Sequence, residues 1–319
     1  MNAPLGWGVL GTGGIVRRWL PGFRAAGETL VAVGSRDRER RAAVAAELGA
    51  ARGGTYQDVL ADPAVEAVYV ALPNALHAEW TIRAAEAGKH VLSEKPLAPS
   101  VAECEAVVAA CARHGVHLVE GFMYRYHPRW RAVWRALEAG RIGEVRLVRA
   151  AFGFRMGPER DDDVRLSAEL GGGALQDVGC YCVNATRWFL GEPRAVHGLA
   201  LDRRGRGVDT HAAAVLEYPG GVLAELSCSL DSALGQSVEI VGERGRIELP
   251  RAFLPGTGEA PLGLFDADGE HRELIPGVDQ YRLEVEAFRA LVRDGTPTLI
   301  PGQDGVATQR VIAAWRASG

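Results

Sequence analysis

Over the first 120 residues, short apolar runs of β type alternate strictly with helical stretches, and this rhythm leaves few ways for the chain to fold. Strands are expected at Leu5 to Leu10, Thr29 to Gly34, Ala67 to Ala71, His90 to Leu92 and Val116 to Glu120. Between them, helices are expected at Ile15 to Ala26, Arg38 to Leu48, Ala75 to Ala87 and Val101 to His114. Gly49, Gly88 and Gly115 directly follow three of these helices, where glycine adopts the left-handed C-cap conformation at little cost. Successive strands separated by helices need crossover connections, which implies a parallel sheet covered on both faces. The expectation is a doubly wound α/β domain over residues 1 to 122.

Beyond residue 122 the pattern changes. A helix from Pro128 to Ala139 leads into β-rich runs at Glu144 to Phe154, Ala195 to Leu201, Thr210 to Tyr218, Val222 to Ser229, Ser237 to Val241 and Arg246 to Leu249. Helical stretches are expected at Gly172 to Leu190 and Asp279 to Arg293. Turn signals at Tyr218-Pro-Gly-Gly221 and Gly242-Glu-Arg-Gly245 make the strands they join antiparallel. Residues 123 to 319 therefore read as a second, α+β domain with a mostly antiparallel open sheet, and Leu254 to Glu273, rich in Gly and Pro, as a loop excursion.

The formal net charge of the 319 residues is −4, which offers no electrostatic footprint for nucleic acid or an anionic membrane. No apolar run approaches a membrane span, and the opening MNAPLGWGVLGTGG lacks a basic segment followed by a signal-type core, so a cytoplasmic address is expected. The cysteines, Cys104, Cys111, Cys180, Cys182 and Cys228, are odd in number and lack paired C-x-x-C spacing. They read as small buried apolar residues rather than as a zinc site or a disulfide framework.

The first motif with chemistry is Gly11-Thr12-Gly13-Gly14-Ile15, which follows a strand and opens a helix. There, glycines allow a tight turn and close backbone approach to a pyrophosphate, while the helix N-terminus presents free N–H groups and the positive dipole end. Gly11 and Gly13 match the G-x-G-x-x-G/A pattern of Rossmann domains, and Val16 stands where a third small residue is usual. The second strand ends Gly34-Ser35-Arg36, where NAD binders usually carry an acidic residue for the ribose hydroxyls. A serine hydroxyl and a guanidinium suit a 2′-phosphate, with Arg38 adding to them, so NADP is favoured and NAD is the alternative. A third motif, Glu94-Lys95-Pro96, follows the fourth strand of the reading. A lysine beyond the carboxyl end of a parallel strand faces the cofactor cleft, and Pro96 biases it toward an extended backbone.

Five segments together resemble the Gfo/Idh/MocA family of NAD(P)-dependent oxidoreductases over nearly the whole length. They are G-T-G-G-I at 11 to 15, L-P-N-A-L-H at 72 to 77, E-K-P-L at 94 to 97, E-G-F-M-Y-R-Y-H-P at 120 to 128 and G-G-G-A-L-Q-D-V-G-C-Y-C-V-N at 171 to 184. The last is similar to the family's D-x-G-x-H-x-x-D element, with Asp177 and Gly179 in place, Tyr181 for the usual histidine and Asn184 for the final aspartate. Tyrosine at that place resembles the branch of dihydrodiol dehydrogenases, D-xylose dehydrogenases and deoxysugar 3-ketoreductases.

The resemblance implies hydride transfer between a nicotinamide and a sugar or polyol, with no metal and with assembly as a homodimer or homotetramer. Tyr181 would exchange the hydroxyl proton, and Lys95 would polarise the substrate oxygen and favour the tyrosinate. Asp177, four residues before Tyr181 and so on the same face of an α-helix, would orient Lys95 or bind a substrate hydroxyl. Leu72, Pro73, Asn74, His77, Glu94 and Pro96 would line the nicotinamide half, and Tyr124, Arg125 and Arg165 would meet the substrate. The plainer readings are a core Tyr181, packing at Tyr124 to Tyr126, a helix cap at His127 and a surface ion pair at Arg165. Two other functions remain open from sequence: a hydrolase or lyase of the same fold using tightly held NAD, and a non-catalytic dinucleotide sensor.

Overall fold

The structure is a computed structural model and describes residues 3–39 and 41–319. Met1, Asn2 and Arg40, the last a member of the basic run from Arg36 to Arg41, lie outside the described residues. The chain forms two compact units. The first runs to Met123 and also takes in Asp279–Val306; the second comprises Tyr124–Val278 and Ala307–Gly319. A single division at residue 122 thus does not describe the C-terminal part, because Asp279–Val306 returns to the first unit.

The first unit is built on six parallel strands: β1 (Gly6–Leu10), β2 (Thr29–Gly34), β3 (Arg52–Gly54), β4 (Ala67–Val70), β5 (His90–Ser93) and β6 (Leu118–Glu120). They lie in the order β3-β2-β1-β4-β5-β6, the doubly wound arrangement. Strand β4, Ala-Val-Tyr-Val, is buried at every position, as expected of a strand covered on both faces. Helices α1 (Gly14–Ala25), α2 (Arg41–Leu48), α3 (Tyr56–Ala61), α4 (His77–Glu86) and α5 (Val101–Arg113) make the crossovers. Strand β3 and helix α3 escape a reading by apolar periodicity. Arg-Gly-Gly has no apolar residue, and α3 is a six-residue helix started by a capping box in which Thr55 and Asp58 satisfy each other's backbone N–H groups.

In the second unit, helix α6 (Pro128–Glu138) precedes β7 (Val145–Gly153), and α7 (Cys180–Leu190) precedes β8 (Ala195–Leu201), β9 (His211–Glu217), β10 (Leu223–Ser229), β11 (Gly235–Gly242) and β12 (Arg246–Pro250). The residues expected as a loop excursion instead form a hairpin, β13 (Ala260–Asp266) and β14 (Gly269–Ile275), which extends the sheet at its edge. The eight strands run β14-β13-β12-β11-β7-β10-β9-β8, antiparallel except for β7 beside β10. Both turn-based expectations match the observed pairs, β9 with β10 and β11 with β12. Buried and exposed residues alternate along β9, so one face of the sheet packs inward and the other is open.

Two helices complete the chain. Helix α8 (Gln280–Asp294) starts at Asp279, whose carboxylate accepts from the N–H groups of Tyr281 and Arg282, and ends at left-handed Gly295. Helix α9 (Gly302–Ala317) was not among the expected elements. All five cysteines are buried, and among the described residues none forms a disulfide and no group of three metal-ligating side chains occurs.

Candidate functional site

Within the first unit, the chain leaves β1 through Gly11, whose φ is +111° and whose N–H donates to the Gly34 carbonyl. A Cβ on Gly11 would stand 2.3 Å from the Ala71 carbonyl oxygen, so only glycine fits between β1 and β4 here. Gly13 and Gly14 differ: a Cβ on either meets nothing within 4 Å. Helix α1 therefore begins on an open glycine turn, with Gly13 as an N-cap that makes no side-chain bond and no acidic residue in the first turn. Its N–H groups are unclaimed by its own side chains, which suits a phosphate. Val16 faces the core, fully buried, and Arg17 steadies the turn by donating to the Thr12 carbonyl and to Glu47. Thr12 and Ile15 are half-buried at the turn.

At the end of β2, Ser35 is buried and its N–H donates to the Gly54 carbonyl, which draws the β3–α3 connection alongside. The result is a cavity of about 340 Å³ lined by Ser35, Arg36, Arg41, Tyr56 and Trp80, among others. Arg36 is hydrogen-bonded to the Tyr56 side chain, and its charge opposes the upward push that burial gives the tyrosine pKa. Arg41 donates from Nε to the Ser35 carbonyl. Arg38 is exposed and stands outside this lining. The residues that the sequence did not single out are Arg41, Tyr56 and Trp80, of which Arg41 alone lay in a segment marked for its charge.

The Glu94-Lys95-Pro96 segment follows β5 with a cis Lys95–Pro96 peptide bond. Glu94 is buried and accepts from the Tyr69 hydroxyl at 2.5 Å, while its own N–H donates to the Val70 carbonyl. Tyr69 is in turn stacked on Trp19. Lys95 is half-buried. His77 is fully buried between two carbonyls, with Nδ1 2.8 Å from Pro96 and Nε2 2.8 Å from Leu72. Burial holds its pKa below the usual value, aided by the Lys95 charge, so the neutral ring donates to one of the two carbonyls. His77 thereby braces the Leu72-Pro73-Asn74 turn against the lysine segment; it is not placed as an acid or base.

Within the second unit, Tyr181 is 4% exposed and sits near the start of α7. The rings of Tyr124, Phe152 and Phe253 surround it at centroid distances of 5.2 to 5.9 Å. Tyr124 is fully buried and donates its hydroxyl to Asn184 Oδ1 at 2.6 Å. Arg125 lies over the Trp188 ring at 4.3 Å. Both residues pack within this unit and support the aromatic surround. Asp177 is buried and accepts from Arg165 Nε at 2.6 Å; Arg165 also donates to Asp163, and the two carboxylates hold its pKa above the usual value. Asp177 and Tyr181 do not share one regular helix, because Leu175–Gly179 is π-helical and α7 starts only at Cys180. The wider turn alters the four-residue alignment expected from sequence. His127 caps α6 by accepting from the Arg129 N–H.

Two family models match the chain. Residues 5–122 match an oxidoreductase family with an NAD-binding Rossmann fold, and residues 130–248 match the Gfo/Idh/MocA C-terminal domain. A D-xylose 1-dehydrogenase (NADP+) of Haloferax volcanii is 41% identical, over 97% of this chain and 95% of that protein. A dTDP-3,4-didehydro-2,6-dideoxy-α-D-glucose 3-reductase of Streptomyces violaceoruber is 38% identical over 90% of this chain and 84% of its own length. Among solved structures, a 3-ketoreductase from Actinomadura kijaniata in complex with NADP and TDP-benzene superposes with a TM-score of 0.93 at 33% identity, covering 99% of this chain and 98% of that one.

Proposed function

The chain belongs to the Gfo/Idh/MocA family of oxidoreductases, and on that premise we propose that it is an NADP-dependent enzyme acting on a secondary alcohol, hemiacetal or ketone of a sugar or polyol. The observation that carries the cofactor half is the pairing of an open glycine turn at an uncapped helix start with a cavity at the end of β2 that holds Arg36 and Arg41. The turn fits a pyrophosphate and the two guanidinium groups fit a 2′-phosphate. NADP when bound supplies the hydride acceptor or donor.

The chain's own residues supply the rest. Tyr181 exchanges the proton of the reacting hydroxyl, and the Lys95 ammonium stabilises the alkoxide that develops in either direction. Asp177, fixed by Arg165, orients the substrate hydroxyls near Tyr181. The aromatic surround keeps water from the phenol and strengthens each of these interactions.

Among the described residues no helix is long and apolar enough to cross a membrane. A cytoplasmic, homo-oligomeric enzyme is part of the proposal. Assembly is supported by the open face of the second sheet, where Leu199, Leu201, Val215 and Leu223 of β8 to β10 are all exposed. Purified protein should change the nicotinamide absorbance with NADP(H) and at least one member of a panel of aldoses, inositols, dihydrodiols and nucleotide-linked ketosugars. Lys95→Met and Tyr181→Phe should each lower turnover by ~100-fold or more with cofactor affinity retained. Near-normal turnover in both variants would overturn these roles.

A further inference from the structure

A second cavity, of about 490 Å³, opens in the second unit where the end of β7, the β8–β9 connection and the end of β10 come together. Its volume is within the range of small-molecule sites. Four arginines, Arg155, Arg203, Arg204 and Arg206, line it against two carboxylates, Asp161 and Asp231, in a chain whose net charge is −4. Arg204 is the clamp of this cavity: Nε donates to Asp231, Nη1 to Asp161 and Nη2 to the Met156 carbonyl. Arg206 donates to the other oxygen of Asp161. Asp161 is thus engaged by Arg204 and Arg206 and Asp231 by Arg204, whereas Arg155 and Arg203, exposed on two different segments, carry no side-chain hydrogen bond or ion pair among the described residues.

We propose that this cavity binds the phosphate or diphosphate group of the substrate, so that the preferred substrate is a phosphate-bearing sugar rather than a free one. Two unpaired guanidinium groups on separate segments match a group with several anionic oxygens, each taking its own fork. The cavity also has a covalent route to the residues assigned to the reaction. Asp161 is two residues from Asp163, at most about 7 Å of extended chain, and Asp163 holds the Arg165 that donates to Asp177. On this proposal the sugar of a substrate held here lies along the Asp161–Arg165 segment, whose Arg165 donates to Asp177. The inference rests on the sugar-oxidoreductase reading and narrows its substrate class.

The test uses the full chain saturated with NADP+, so that the cofactor's own phosphate sites are filled. Calorimetric titration with pyrophosphate, with a nucleoside diphosphate and with a sugar 1-phosphate should show binding that weakens at high salt. The double variant Arg155→Gln/Arg203→Gln should bind the preferred one of these at least about ten-fold more weakly, with an unchanged Tm. The ratio of kcat/KM for a phosphate-bearing sugar over its free counterpart should fall by a similar factor. Tighter binding of the nucleoside diphosphate than of pyrophosphate assigns the group to a nucleotide-linked sugar, and the reverse order with a tight sugar 1-phosphate assigns it to a simple phosphate ester. Absence of binding by all three probes, or equal affinity in the double variant, overturns the proposal. Because binding is read directly, a protein that holds the anions but turns over no sugar would refute the functional reading and leave this site standing.

Discussion

Arg165 Nε donates to Asp177 Oδ2 at 2.6 Å, while the same guanidinium group reaches Asp163 through Nη1. One arginine thus joins a loop aspartate to the aspartate of the π-helical turn before Tyr181. Arg165→Met should lower kcat/KM for the sugar by ~10-fold or more and leave the KM for NADP within about a factor of two, because the change removes a charge-assisted bond that helps orient Asp177. Arg165→Lys should fall between, since an ammonium keeps the charge but cannot hold both carboxylates with a rigid fork. The arginine side chain is about one-third exposed, so the stability loss should be only ~1–2 kcal/mol, read by urea unfolding.

In the proposed reading, cofactor choice rests on the cavity beside Ser35. Removing the charge in Arg36→Gln should raise the KM for NADP by ~10-fold or more and leave that for NAD nearly unchanged, since a charge-assisted bond contributes ~1.5–3 kcal/mol. Adding an acidic residue as Ser35→Asp should move the preference further toward NAD. Equal effects on both cofactors, measured side by side in steady-state kinetics, would remove Arg36 from the phosphate site.

The glycines of the first turn separate folding from binding. Gly11→Ala drives a methyl group against the Ala71 carbonyl from a backbone with φ of +111°, and should destabilise the protein by ~2 kcal/mol or more. Gly13→Ala meets no neighbour, so its cost should be confined to a poorer helix N-cap, ~1 kcal/mol or less. It should nevertheless weaken NADP binding, because the added methyl occupies the space a pyrophosphate needs. Chemical denaturation and cofactor titration of the two variants read these effects separately.

His127 makes the stability pH-dependent. Its ring is buried as the cap of α6, and burial together with the Arg129 charge pushes its pKa from the ordinary 6.5 down to about 4. Below pH 6.5 the unfolded chain takes up a proton that the folded protein refuses. Stability should therefore fall as the pH drops from about 6.5 to about 4, by up to ~3 kcal/mol. His127→Asn supplies Oδ1 as cap acceptor in place of the ring nitrogen and removes the titration, so it should flatten this part of the curve in unfolding experiments across pH.

Much of this arrangement was legible in the residues. The strict alternation of the first 120 residues marked the parallel sheet, and Thr29–Gly34 and Ala195–Leu201 form strands over the expected residues. The glycine turn and Ser35 could be found from local chemistry, because both follow directly from a strand and its end. The hairpin β13–β14 was hidden by Gly and Pro, which usually mark loops; Pro261 lies in β13 beyond Gly263, the last residue in register with β12, so its missing N–H is not called on by that pairing. Asp177 and Tyr181 were expected four residues apart on one helix face, and the π-turn that breaks this alignment has no signature in a four-residue spacing.

The periodicity of apolar residues and the turn chemistry between them fix element type and, through crossover length, the parallel topology. These are properties of neighbours along the chain. The set of side chains that share a cavity depends instead on strand register and on packing between distant segments. Arg41 and Tyr56 reach Ser35 because Gly34 pairs with Gly54, and Phe253 reaches Tyr181 across seventy residues of sheet. Asp279–Val306 joins the first unit for the same reason: an apolar helix face finds its partner by burial, which sequence distance does not constrain.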